Sequence, residues 1–178
     1  MFTNFKGRAY LDFDGVFNVD KSPFGDDVRT SYAVKVGRGL TENFPVVYSP
    51  TAMTSVMDLL AKHNVEVVFV SSWCDNLHIL RVMDKLGYFP NARVLHGVTN
   101  ASGKTRRDRN NWKYDAILAD LKGDTVPFAW VDDEAVPVFK KAMRATLPDA
   151  DKLLLAPLSW HGVTHGMLSD MDAFFSKF

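Results

Sequence analysis

The chain has 178 residues, 47% of them hydrophobic and 24% charged, and its 21 basic and 21 acidic side chains cancel. That length holds one domain (1–178) with a substantial core, the composition excludes a disordered chain, and zero net charge gives no global pull toward nucleic acid or a membrane. No apolar run nears the roughly 20 residues of a bilayer span, MFTNFKGRAY lacks the long apolar region of a secretory signal, and the lone Cys74 can form no internal disulfide, so a cytoplasmic, non-membrane protein with no obligate protein partner is expected.

The first apolar run, residues 9–13 (AYLDF), reads as a buried strand, and it ends in Asp12, Phe13, Asp14 and Gly15. Residues 18–48 break the pattern: two short alternating runs flank Gly37-Arg38-Gly39, as in a small β-hairpin or flap. Ser49 is an N-cap candidate with Pro50 at the first helical position, and Met53, Val56, Met57 and Leu60 form one apolar helix face. Residues 65–70 (VEVVFV) are a second buried strand, ending in Ser71, Ser72 and Trp73. A helix follows through Ile79, Met83 and Leu86, with Gly87 as terminator, and residues 93–98 are a weaker strand candidate.

Residues 100–111 (NASGKTRRDRNN) read as a polar loop with four basic side chains. The next helix carries Tyr114, Ile117, Leu118 and Leu121 and is closed by Gly123. Lys113 is placed at its opening. Residues 128–131 (FAWV) are a strand ending in Asp132, Asp133 and Glu134, followed by a helix through Val136, Phe139, Met143 and Leu147. A strand at 153–156 and a helix through Met167, Met171, Phe174, Phe175 and Phe178 complete the chain. Strand–helix alternation with apolar strands argues an α/β fold around a mainly parallel five-stranded sheet.

In such sheets ligands gather outside the carboxyl ends of the strands. Three strand ends converge there with five carboxylates and two hydroxyls. Without a cation that collection repels itself, and an oxygen-rich set of this kind suits Mg²⁺. Asp12 and Asp14 taken alone also read as a turn pair, the acids at 132–134 as a helix N-terminus with Glu134 nearest the helix dipole, and Ser71 or Ser72 as helix caps. Cys74 lacks a nucleophile's partners and reads as structural. Trp160, His161 and His165 read as a loop packed near the site.

The ordered set of apolar-Asp-x-Asp-Gly, a strand ending in Ser71, a lysine, and a strand ending in Asp132-Asp133 resembles the haloacid dehalogenase (HAD) superfamily. SSWCDN, WVDDE and the late GVT are similar to the capless HAD domain of RNA-repair Swiss Army Knife proteins and phage relatives. The resemblance implies a Rossmann-like HAD fold with a hairpin flap and no large cap, acting as a phosphatase. It further implies Asp12 as nucleophile, Asp14 as general acid and then base, Ser71 as a hydrogen-bond donor to phosphate, and Lys113 or Lys104 as the neutralising cation. Mg²⁺ would be held by Asp12, the main-chain carbonyl of Asp14, and Asp132 or Asp133.

An open site without a cap admits a phosphate on a bulky carrier. Lys104, Arg106, Arg107 and Arg109 are candidates for contacting backbone phosphates, and Ser72 and Trp73, with Trp112 and Trp160, for lining or stacking. The resulting expectation is removal of a terminal phosphate from an RNA or DNA end. A small-substrate phosphatase such as a nucleotidase, a receiver-like phosphoacceptor and a silent binding module are the alternatives.

Overall fold

The structure, a computed structural model, describes residues 5–36, 40–97 and 105–178. Strand β1 (Gly7–Leu11) leads into an antiparallel hairpin of β2 (Val28–Val36) and β3 (Leu40–Tyr48), then α1 (Pro50–Lys62) and β4 (Val65–Phe69). A 3-10 turn (Ser72–Leu77) runs directly into α2 (His78–Leu86). After it come β5 (Arg93–Val94), α3 (Arg106–Asp120), β6 (Phe128–Val131), α4 (Ala135–Thr146), β7 (Lys152–Leu155) and α5 (His165–Phe175).

The five central strands are all parallel, in the order β5-β4-β1-β6-β7. The chain therefore winds outward from β1 in one direction and then crosses to its other side, leaving the switch point at the carboxyl end of β1. Period-2 alternation divides the strand residues between two cores. Ala9, Leu11, Phe69, Ala129 and Val131 face the layer that contains Val56, Ile79 and Met171, from α1, α2 and α5. Tyr10, Val68, Phe128 and Trp130 face Ile117, Val136, Phe139 and Met143, from α3 and α4.

Local signals explain most boundaries. The Ser49 hydroxyl accepts from the Ala52 amide with Pro50 opening α1, and Gly87 takes φ +79° after α2. Helix α3 starts earlier than expected. Thr105 and Asp108 form a reciprocal capping box, so residues 106–111 are helix rather than loop, and Lys113 lies two turns into the helix rather than at its opening. Strand β5 is only two residues long, shorter than the run at 93–98. The hairpin strands are nine residues each, longer than the short runs expected, with Pro45 opposite Ser31. In a two-stranded ribbon both strands are edges, so proline is tolerated. The turn at 37–39 and Lys104 lie outside the described residues.

A polar network fixes α3 against the amino ends of the strands. Asp120 accepts from the Tyr10 hydroxyl (2.7 Å) and from Arg93 (2.7 Å), while Glu66 accepts from Arg8 (2.8 Å) and Arg93 (2.7 Å). Partial burial works against both acids, but the arginine hydrogen bonds, joined at Asp120 by the tyrosine's, hold them below the usual carboxylate range. This anchoring sets the height at which Lys113 meets the opposite end of β1.

Candidate active site

The alternation that buries Tyr10 and Trp130 under α3 continues one step past each strand. Tyr10 pairs with Trp130 and Leu11 with Val131 in register, so Asp12 and Asp132 emerge side by side on the α3 face. The Asp12 amide still donates to the Val131 carbonyl at 3.0 Å. On α3, Asn110, Lys113 and Ile117 form the buried face, at spacings of three and four. Ile117 enters the core, and Lys113 reaches the two aspartates.

The Lys113 ammonium donates to Asp12 Oδ2 at 2.5 Å and to Asp132 Oδ2 at 2.8 Å. Asp12, Lys113 and Asp132 are 5%, 5% and 0% exposed, so all three charges are held away from water. Burial works against the ammonium, yet Asp12 and then Asp132 more than offset it and hold Lys113 well above its ordinary range. Asp132 is pushed upward, first by burial and then by the neighbouring Asp12 charge, against the pull of Lys113. The other oxygens of the two acids are also engaged: Asp12 Oδ1 accepts from the Phe13 amide (2.7 Å), and Asp132 Oδ1 from the amides of Glu134 (2.9 Å) and Ala135 (2.5 Å).

Those last two bonds correct the expectation for the acids at 132–134. Asp132, not Glu134, binds the amides that open α4. The Glu134 side chain makes no cap bond and instead accepts from Asn110 Nδ2 at 3.2 Å. Asp132 reaches those amides because it is buried directly before the helix, whereas Glu134, the N-cap itself, turns outward.

Asp133 completes an acidic trio. One ligand oxygen from each of Asp12, Asp132 and Asp133 lies within 4.8 Å of the others. Three carboxylates without sulfur or imidazole fit a hard divalent cation such as Mg²⁺. Burial, and after it the Asp12 charge, pushes Asp133 up to about 6. Gly15 is the residue that makes this approach possible. It takes φ +71°, and a β-carbon there would stand 2.5 Å from either Asp133 oxygen.

Asp14 stands apart from the lysine cluster. Its Oδ1 accepts from Asn18 Nδ2 at 2.7 Å and its Oδ2 from the Trp73 indole at 2.8 Å. Loss of hydration inside this bracket pushes its carboxyl above the ordinary range, although the two hydrogen bonds pull it down. Asn18 also accepts from the Val47 amide at 2.8 Å, so one side chain ties Asp14 to β3. Sequence reasoning missed Asn18, although its place four residues after Asp14 in a glycine-containing turn was the available signal.

Ser71 is 1% exposed at the end of β4, where its hydroxyl accepts from the Trp73 amide (3.4 Å); Ser72 is exposed. Cys74 is buried and donates to the Phe69 carbonyl at 3.3 Å, the structural role expected of it. The basic residues scatter. Arg106 approaches Glu134 (3.7 Å) at the rim, Arg107 lies over the Phe139 ring (4.9 Å) on the outer side, and Arg109 is half-buried in α3. Arg107 thus packs on α4. Trp112 packs over Gly97, whereas Trp160 is exposed in the 158–162 turn. No helix among the described residues is long and apolar enough to cross a membrane.

The family model described as the HAD domain in Swiss Army Knife RNA repair proteins matches residues 9–154, which take in every strand end just described. No curated protein and no solved structure matches the chain.

Proposed function

The chain belongs to the family of HAD domains found in Swiss Army Knife RNA repair proteins, and from that membership we propose that it is a Mg²⁺-dependent phosphomonoesterase acting on a terminal phosphate of a nucleic-acid end. The observation that carries the chemistry is the division between the two aspartates of the first motif. Asp12 is held by Lys113 in an acidic trio, while Asp14 is held separately by Asn18 and Trp73.

In this reading an Asp12 oxygen attacks phosphorus, and the bond from phosphorus to the leaving oxygen breaks as Asp14 gives that oxygen its proton. An aspartyl-phosphate results. Asp14, now ionised, takes a proton from water as the water attacks phosphorus, releasing inorganic phosphate and regenerating Asp12. An upward-shifted Asp14 suits the proton-donor role. Ser71 and Lys113 face the charge that spreads over the phosphoryl oxygens. Asp12, Asp132, Asp133 and the Asp14 carbonyl would hold Mg²⁺, which when bound offsets repulsion between the nucleophile and the phosphate.

A nucleic-acid end as substrate is supported by the family's occurrence in RNA repair proteins and by the small size of the insertion between β1 and α1, which is a hairpin. Release of phosphate from terminally phosphorylated RNA and DNA oligonucleotides, compared with free nucleotides and run with Mg²⁺ or a chelator, tests it. Release from free nucleotides alone would replace this substrate with a small one, and release insensitive to the chelator would remove the metal.

Protons and metal compete for the trio. Because Asp133 and Asp132 are both raised above the ordinary carboxylate range, Mg²⁺ should raise the melting temperature little at about pH 5 and more at about pH 8. A Mg²⁺ effect that shrinks as pH rises contradicts the trio as the metal site. Gly15→Ala should cost about 1–2 kcal/mol from left-handed strain alone, and by displacing Asp133 it should lower turnover by about 100-fold. Melting and phosphate release on the same preparation check both figures.

A further inference from the structure

Between the β2–β3 hairpin and the 3-10 turn lies a cavity of about 470 Å³, walled by Asp14, Phe44, Pro45, Ser72, Trp73 and His78. Its volume is that of a small-ligand site. Its lining is unlike the lysine-and-acid cluster beside it: no Lys or Arg is among the described residues that line it. Such a wall does not recruit a second phosphate. It fits an uncharged, planar group.

The aromatic rings are arranged for that. The Trp73 ring meets Phe44 edge-to-face at 5.6 Å and 70°, and Tyr32 stands 6.5 Å from Trp73 and 6.4 Å from the His78 ring. Trp73 is fixed from behind by Phe13 (5.2 Å) and through its indole N–H by Asp14, so its platform exists before a ligand arrives. Phe44, by contrast, leaves 36% of its surface to solvent at the mouth of the cavity. A ligand ring covers that apolar area. His78 lines the cavity, and its Nδ1 is buried with no hydrogen-bond partner among the described residues, a costly state.

Position identifies which part of a substrate lies here. Asp14 forms one wall of the cavity, and Asp14 is the group placed to protonate the departing oxygen. A group attached to that oxygen therefore lies within reach of the cavity. We infer that the cavity is a subsite for the nucleobase of the terminal nucleotide, taking its ring beside Trp73 and Phe44 with His78 facing its polar edge. This inference rests on the phosphatase reading above and adds that the terminal base is held rather than left in solvent.

The test uses two oligonucleotides with the same terminal phosphate, one of which lacks only the base of its terminal nucleotide. Wild type should favour the base-bearing end by at least about fivefold in kcat/KM, the low end of what one stacked base contributes. Phe44→Ala should bring that ratio close to one, and His78→Phe should change the preference among terminal bases. Equal hydrolysis of both ends by wild type, or an unchanged ratio in Phe44→Ala, overturns the inference while leaving the phosphatase reading intact. If wild type releases phosphate from neither, the phosphatase reading falls, and anisotropy titrations of the same two oligonucleotides decide the inference. Tighter binding of the base-bearing end that Phe44→Ala abolishes supports it, and equal binding overturns it.

Discussion

Asp12→Asn should lower phosphate release by at least about 10,000-fold while the protein stays folded, because an amide is not a nucleophile toward phosphorus and neither Asp132 nor Asp14 can take its place. Asp132 is fully buried, with its oxygens committed to Lys113 and to the Glu134 and Ala135 amides. Asp14 is bracketed by Asn18 and Trp73 on the other side of the motif. The substitution has two opposing effects on stability. An asparagine can accept from either the Phe13 amide or Lys113 but turns its NH₂ toward the other, which costs about 1–3 kcal/mol for a buried mismatch. Removing a negative charge beside Asp132 relieves repulsion in the opposite direction. The melting temperature should therefore move by a few degrees at most, and a variant that hydrolyses phosphate at the wild-type rate would remove Asp12 from the mechanism. Asp14→Asn is the informative companion. Its loss should be severe on a phosphorylated oligonucleotide and much smaller on an aryl phosphate such as p-nitrophenyl phosphate, whose leaving group departs without a proton.

The shared sheet end of Asp12 and Asp132 was legible in the sequence because each lies directly after the strand that positions it. A strand aims successive side chains to opposite faces, so Asp12 and Asp132 could be assigned to one sheet end from AYLDFDG and FAWVDDE alone. What joins them was less visible. Lys113 comes from a helix whose start depends on the Thr105–Asp108 capping box, and the charged run RRDR looked like solvated loop because its polarity masks the spacing of Asn110, Lys113 and Ile117. The placement of Asp14 depends on Asn18 and Trp73, four and fifty-nine residues away, and contacts across such separations are fixed by the packing of the hairpin and the 3-10 turn. The length of the hairpin was hidden for a related reason. Pro45 argues against a strand unless both strands are known to be edges, which only the pairing reveals. Elements with a repeating apolar face could thus be read directly, whereas Asn18, a single polar side chain that bridges elements, was missed.

Lys113→Met should be the most destabilising single change at the site, by about 3–5 kcal/mol at neutral pH without metal, because it leaves two buried carboxylates with no cation between them. The pH dependence has a definite sign. Burial and the Asp12 charge already raise Asp132 above its unfolded value, and Lys113 is the principal side chain pulling it down. Without the lysine Asp132 rises further and binds a proton in the folded state that the unfolded chain does not hold. A folded state with the extra proton gains stability as pH falls and loses it as pH rises through that window. The deficit of the variant relative to wild type should consequently be smaller at about pH 5 than at about pH 8. Mg²⁺ should act in the same sense as the missing ammonium, so its stabilising effect at neutral pH should be larger in Lys113→Met than in wild type, while turnover stays low because the buried ammonium beside Asp12 no longer faces the transferring phosphoryl group. If the variant melts with wild type at neutral pH in the absence of metal, the lysine is not balancing those carboxylates. If its deficit instead grows as the solution is acidified, the charge balance assigned to Asp12, Lys113 and Asp132 is wrong.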